Sequence, residues 1–226
     1  MTPSERGLAA VWPFVRDQLP APPVSVLEIG CGPHGGLVPQ LLRGGYDAVG
    51  VDPEAPEAAE YRRLKFEQYV APDPVAAVVA CTSLHHVEHL DDVLDRVAAV
   101  LKPGGVLVVV EWAWERFDES SARWCFARLA PSSSARELGW LHRHRDQWAA
   151  SGQPWDDYLQ LWAKDERLHL GEQIIRGLDE CFDRELCTFG PYFSPDLSEP
   201  TDSAERAAID ASEIQATGIR YVGRLR

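Results

Sequence analysis

Short apolar runs alternate with segments whose apolar residues recur every three or four positions, and this rhythm continues from residue 24 to residue 110. Residues 24–29 are apolar and bounded by Pro22-Pro23 and Gly30, which predicts a buried strand. Residues 37–42 predict a short helix closed by Gly44-Gly45. A second strand over 46–51 ends at Asp52-Pro53; a helix rich in Glu and Ala then leads to a weak third strand near 64–66. Residues 75–80 form the fourth apolar run. Val87, Leu90, Val93, Leu94, Val97, Val100 and Leu101 make one helical stripe, which Lys102-Pro103-Gly104-Gly105 stops before a strand over 106–110. Strands and helices alternating at these lengths predict an α/β fold, with a parallel sheet covered by helices on both faces and joined by right-handed crossovers. Ahead of them, residues 4–19 carry Leu8, Val11, Trp12 and Val15 at helical spacing, with a bend at Pro13.

After Glu111 the texture changes. Residues 112–182 read as helices and hold seven of the eight tryptophans. A strand near 186–189, a polar helix over 201–212 and a last strand near 218–224 follow, and residues 190–200, with three prolines, read as a flexible loop. At 226 residues the chain is expected to be a single domain. Its parts would be an N-terminal helix (1–23), a ligand-binding core (24–111), a helical cap (112–182) and a C-terminal strand pair (183–226).

The formal net charge of -13 argues against a nucleic-acid partner, which would need a basic face. A small neutral or cationic molecule fits better. The apolar runs are far shorter than a membrane span, and residues 1–19 lack the apolar stretch of a signal peptide. The five cysteines are odd in number and form no CxxC pair. They read as reduced thiols of a cytoplasmic protein, with no metal site.

The candidate chemistry starts at Glu28-Ile29-Gly30-Cys31-Gly32-Pro33-His34-Gly35, between a strand and a helix. Gly30, Gly32 and Gly35, with Asp52 twenty residues on, also fit a dinucleotide fingerprint, so an NAD-dependent oxidoreductase is one reading. Glu28 opposes it: a carboxylate at the strand's mouth would repel a pyrophosphate and suits a cationic amino-acid cofactor. Pro33 opposes it too, because it removes an N–H where a helix start would offer one to phosphate.

Four landmarks occur in order: Val26-Leu-Glu-Ile-Gly-Cys-Gly32, Val49-Gly-Val-Asp-Pro53, Cys81-Thr-Ser-Leu-His-His-Val87 and Leu101-Lys-Pro-Gly-Gly105 before a strand. With them the chain resembles the class I S-adenosylmethionine-dependent methyltransferases of small molecules, over almost its whole length from Val24. The resemblance implies a Rossmann-like, doubly wound sheet of seven strands with the last antiparallel, and a helical cap inserted after the fifth. It implies methyl transfer from S-adenosylmethionine to oxygen, nitrogen or carbon of a small organic acceptor, with S-adenosylhomocysteine as product. A protein of this fold that binds the cofactor and no longer methylates is the other reading.

The same resemblance assigns roles. Glu28, Gly30, Cys31 and Gly32 would line the methionine end of the cofactor, and Asp52, with Pro53, would accept the ribose hydroxyls. Glu67 or Gln68 would reach the adenine, although the third-strand motif departs from the family's pattern. Thr82, Ser83 and Leu84 would pass beneath the methyl. His85, where open α/β sheets place their ligands, is the expected base, with His86 as a second candidate and His89 on the helix surface. Glu111, closing the fifth strand, would orient an acceptor or counter its charge. Trp140, His142, His144, Trp148, Trp155, Tyr158 and Trp162, with Tyr192 and Phe193, read as core packing, as a lid for a bulky or planar acceptor, or as a homodimer interface.

Overall fold

A computed structural model describes residues 3–129, 139–198 and 202–226. In chain order they form α1 (Pro3–Gln18), β1 (Ser25–Ile29), α2 (Val38–Arg43), β2 (Asp47–Val51), β3 (Tyr61–Arg62), β4 (Val75–Cys81), α3 (Leu90–Val100) and β5 (Leu101–Trp112). Then come α4 (Glu119–Phe126), α5 (Trp140–Ser151), α6 (Trp155–Asp165), α7 (Gly171–Cys181), β6 (Phe182–Gly190), α8 (Asp202–Asp210) and β7 (Gly218–Leu225). The seven strands make one sheet in the order β3-β2-β1-β4-β5-β7-β6. Strands β1 to β5 pair in parallel and the last strand is antiparallel, the α/β arrangement that the alternating pattern and the family resemblance imply.

The chain divides into two compact units. The sheet unit comprises Val11–Glu111, His169–Thr188 and Ile219–Arg226. Its centre is β4, where Ala77, Val78, Val79 and Ala80 are all fully buried; a strand covered on both faces reads as a continuous apolar run. In α3 the stripe of Leu90, Val93, Leu94, Val97 and Val100 is buried, and a methyl added at Gly177 of α7 would lie 2.8 Å from Leu94 Cδ1. The four residues 102–105 loop out of the ladder: Val75 pairs Leu101 and Ala77 already pairs Val106. The second unit, Met1–Ala10, Trp112–Leu168 and Phe189–Gly218, is packed around Phe117, Leu141, Trp155, Leu159 and Phe193. Trp155 is fully buried and its indole N–H donates to the Phe117 carbonyl. Among the described residues no helix is long and apolar enough to cross a membrane.

Several local expectations are corrected. No helix joins β2 to β3; residues 53–60 are turns, because Pro53 and Pro56 remove amide donors and bias their predecessors away from helix. The third strand is only Tyr61–Arg62, earlier than residues 64–66, and Phe66–Gln68 is a 3-10 turn. Tyr61 pairs with Gly50, where a side chain would press on the Tyr61 ring at 3.0 Å. Helix α3 begins at Leu90 because residues 84–86 form a separate 3-10 turn. Strand β6 spans nine residues instead of four; its largely exposed, charged middle hides it from an apolar scan. Residues 190–198 are no loose loop. The Glu205 carboxylate, fully buried, accepts the amides of Tyr192, Phe193 and Ser194 at 2.7–3.2 Å.

Candidate active site

Strand β1 delivers Glu28 to the sheet's C-terminal edge, where it is 1% exposed. The chain then turns sharply through Gly30, Gly32, Gly35 and Gly36, all at positive φ. This turn folds back over the carboxylate: the Leu37 amide donates to both oxygens at 2.8–2.9 Å and the Val38 amide to Oε2 at 3.0 Å. A methyl at Gly36 would sit 2.3 Å from Glu28 Oε1, so this glycine is required by the carboxylate beneath it. Burial, despite the amides, pushes the Glu28 carboxyl up to about 8. Cys31 is buried in the same turn; burial, then the charges of Glu28 and Asp52, push its thiol up to about 12, so it stays protonated.

Asp52 follows β2 directly. Its Oδ2 accepts the Gly32 amide at 3.0 Å and its Oδ1 the Glu54 amide at 2.7 Å, so one carboxylate ties the two turns together. Pro53 beside it is exposed, and Glu67 is half-buried in the 3-10 turn after β3. No hydrogen bond among the described residues links Glu67 to Asp52.

The turn after β4 is held differently. Thr82 adopts φ 52°, a left-handed conformation that is costly for a β-branched residue, and its amide donates to the Val110 carbonyl at 2.7 Å. Ser83 lies against Gly30, where an added methyl would fall 2.3 Å from Ser83 Cβ. The Ser83 hydroxyl oxygen is buried and has no hydrogen-bond partner among the described residues. Glu111, fully buried at the end of β5, reaches under this turn. Its Oε1 accepts the amides of Ser83 at 2.7 Å and Leu84 at 2.5 Å, and its Oε2 lies 2.5 Å from His85 Nδ1. His85 is 5% exposed, its ring is 4.1 Å from that of His86, and its carbonyl accepts the His169 amide at 3.0 Å. His86 and His89 are exposed, and His89 precedes α3 in extended backbone.

The structure therefore brings Glu28, Gly30, Cys31, Gly32, Asp52 and Ser83 to one corner, and Ser83, Leu84, His85 and Glu111 to the adjoining turn. Both Glu111 oxygens engage the protein's own groups. A carboxylate on Nδ1 holds that nitrogen as N–H and puts the lone pair on Nε2, the arrangement that makes an imidazole a directed base. Gly36 and the pairing of Glu111 with His85 escaped the sequence reading. The invariable cue for neither is local: the first needs the position of the Glu28 carboxylate, and the second needs β4 and β5 as neighbours.

In the second unit, Trp155 and Tyr158 are buried, as are His142 and His144, whereas Trp140, Trp148, Trp162 and Tyr192 stay partly exposed. Packing accounts for the first group, and the second is only partly covered.

Residues 6–160 match the model of the methyltransferase-domain family. The ubiquinone biosynthesis O-methyltransferase of Bradyrhizobium sp. (strain ORS 278) is 32% identical over 161 residues, which cover 66% of this chain and 59% of that protein. The chain thus spans less than two thirds of this curated relative's length. The N-methyltransferase NodS of Bradyrhizobium japonicum WM9, solved with S-adenosyl-L-homocysteine, superposes with a TM-score of 0.53 at 12% identity over 99% of this chain and 88% of its own. The geranyl diphosphate C-methyltransferase of Streptomyces coelicolor A3(2) gives 0.55 at 14% identity over 96% and 79%. At such identities the two structures speak for the fold alone, and their names differ in the atom methylated. With the family match covering most of its length, the chain belongs to the methyltransferase-domain family, the S-adenosylmethionine-dependent class that its four landmarks resemble.

Proposed function

We propose that this chain transfers a methyl group from S-adenosylmethionine to an oxygen of a small organic acceptor, releasing S-adenosylhomocysteine. The observation that carries the reading is the buried pair of Glu111 and His85 at the end of the parallel strands. A hydroxyl is a poor nucleophile while it keeps its proton, and an imidazole with its lone pair directed to Nε2 is suited to take that proton. Glu111 fixes the tautomer and stabilises the imidazolium that results.

The residues of the neighbouring corner fit the cofactor. Bound there, S-adenosylmethionine would supply an electrophilic methyl on a cationic sulfur. Glu28, Gly30, Cys31 and Gly32 would hold its amino-acid end. Asp52, with Pro53 beside it, would accept the ribose hydroxyls, since a carboxylate that already takes two amides keeps further lone pairs. Glu67 is assigned to the adenine, and Thr82, Ser83 and Leu84 to the methyl. The buried Ser83 hydroxyl favours this assignment, because a polar atom out of water calls for a polar ligand.

In this reading residues 1–226 act as one methyltransferase domain in the cytoplasm, on an acceptor that is neither nucleic acid nor membrane; sedimentation decides between monomer and homodimer. The deciding experiment is calorimetric titration with S-adenosylmethionine, with NAD as control. Saturable binding of the first alone is expected. Binding of NAD, or of neither, overturns the proposal.

A further inference from the structure

Within the second unit, α5 and α6 place a histidine among aromatic rings. His144 is 5% exposed and lies edge-on to Trp162, 4.4 Å away at 87°, and to Trp140, 5.4 Å away at 87°. Trp112 touches both tryptophans, at 6.1 and 5.0 Å, and stacks on Tyr192 at 5.7 Å and 7°. Pure packing calls for no imidazole at such a position, since burying one costs free energy unless its polar atoms are satisfied.

The polar atoms are satisfied on one side. His144 Nδ1 lies 2.8 Å from the Tyr158 hydroxyl, and that hydroxyl donates to Gln147 Oε1 at 3.1 Å. A phenol has one proton. Giving that proton to Gln147 leaves Nδ1 as the donor to the Tyr158 oxygen and the ring's lone pair on Nε2; the other tautomer would reverse both roles. Burial, with the charge of Arg143 second, pushes the imidazole down to about 4, so it is neutral across the physiological range. Nε2 has no hydrogen-bond partner among the described residues. The neighbourhood is thus a hydrogen-bond acceptor, flanked by Trp140, Trp162 and Tyr192, which are each partly exposed.

We infer that His144, held through Nδ1 by Tyr158, takes a hydrogen bond from a hydroxyl on a planar aromatic ligand lying against Trp140 and Trp162 within this unit. The inference goes beyond the methyl-transfer reading and does not rest on it. Aromatic faces favour a flat ring, and a lone pair set among them selects ligands with a donor over those without.

The test uses the full chain and two probes, 2-naphthol and its methyl ether, which differ in the donor. Calorimetry should show saturable binding of 2-naphthol, weaker binding of the ether by about tenfold, the ratio expected for one hydrogen bond, and loss of that ratio in His144→Phe. Equal binding of the two probes, binding of neither, or an undiminished ratio in His144→Phe overturns the inference. The wild-type protein supplies a second readout that is independent of the variant's folding. The ring ¹⁵N shifts of His144 should report Nδ1–H with a bare Nε2 whose signal moves when 2-naphthol is added; the opposite tautomer, or an unmoved signal, also overturns it. Titrating the same sample with S-adenosylmethionine tests the methyl-transfer reading separately, since neither His144 nor Tyr158 belongs to the cofactor's assigned residues.

Discussion

After β1, the Glu28 carboxylate gives both oxygens to the amides of Leu37 and Val38, and among the described residues only backbone hangs on it. After β4, the Glu111 carboxylate gives one oxygen to the amides of Ser83 and Leu84 and the other to the His85 ring. Both carboxylates are buried at strand ends and both hold the shape of a turn. The difference is the second oxygen. At Glu28 it reinforces the scaffold; at Glu111 it couples the scaffold to a titratable side chain, so the turn's shape and the histidine's direction share one origin.

The largest break in this comparison comes from Glu111. Glu111→Ala strands two amides and a ring nitrogen in the interior and should cost about 3–5 kcal/mol of stability, read by denaturant unfolding. Glu111→Gln keeps one acceptor for the amides, so it should fold yet lose the directed tautomer. Its methyl-transfer rate, like that of His85→Ala, should fall by about 10²–10⁴-fold between pH 6 and 9. A full rate in either variant would remove the pair from the chemistry.

Asp52 sharpens the contrast on the cofactor's side. Asp52→Ala should weaken S-adenosylmethionine binding by roughly 1.5–3 kcal/mol, the range for hydrogen bonds to a charged group. Calorimetry showing wild-type affinity would refute its ribose role.

Glu28 gives the most graded effect, spread along the pH scale. Its carboxyl, raised from 4.5 to about 8, binds a proton more tightly in the folded chain than in the unfolded one. The resulting stability is fully present below about 4.5 and is lost as pH rises through about 8. Melting curves should show a decline of up to ~1.4 kcal/mol per pH unit across that window, and Glu28→Gln should flatten it. A decline that survives in Glu28→Gln would place its source elsewhere.

The sheet was legible in the sequence because its central strands are buried on both faces and its helices carry one apolar stripe, as β4 and α3 illustrate. Strand β6 was not, because an edge strand with exposed Asp183, Arg184 and Glu185 carries little apolar signal. At the candidate site, the glycine turn and Asp52 stand next to strand ends and can be named from spacing alone. Glu111 and His85 are 26 positions apart and meet only because β4 and β5 pair in register, with Cys81 opposite Val110. The contact between His144 and Tyr158 needs two helices to pack and has no signature in either.

Glu205 has a consequence of another kind. Because the segment at Tyr192, Phe193 and Ser194 is gripped by its amides, its path depends on one distant carboxylate more than on the residues that compose it. Phe193 and Ser194 are locked by burial, whereas Tyr192 is half-buried and held chiefly by ring contacts such as its stacking on Trp112. Mutational drift at position 192 can therefore change the surface offered to small molecules while the chain keeps its course, and a laboratory library restricted to that codon should yield mostly folded proteins.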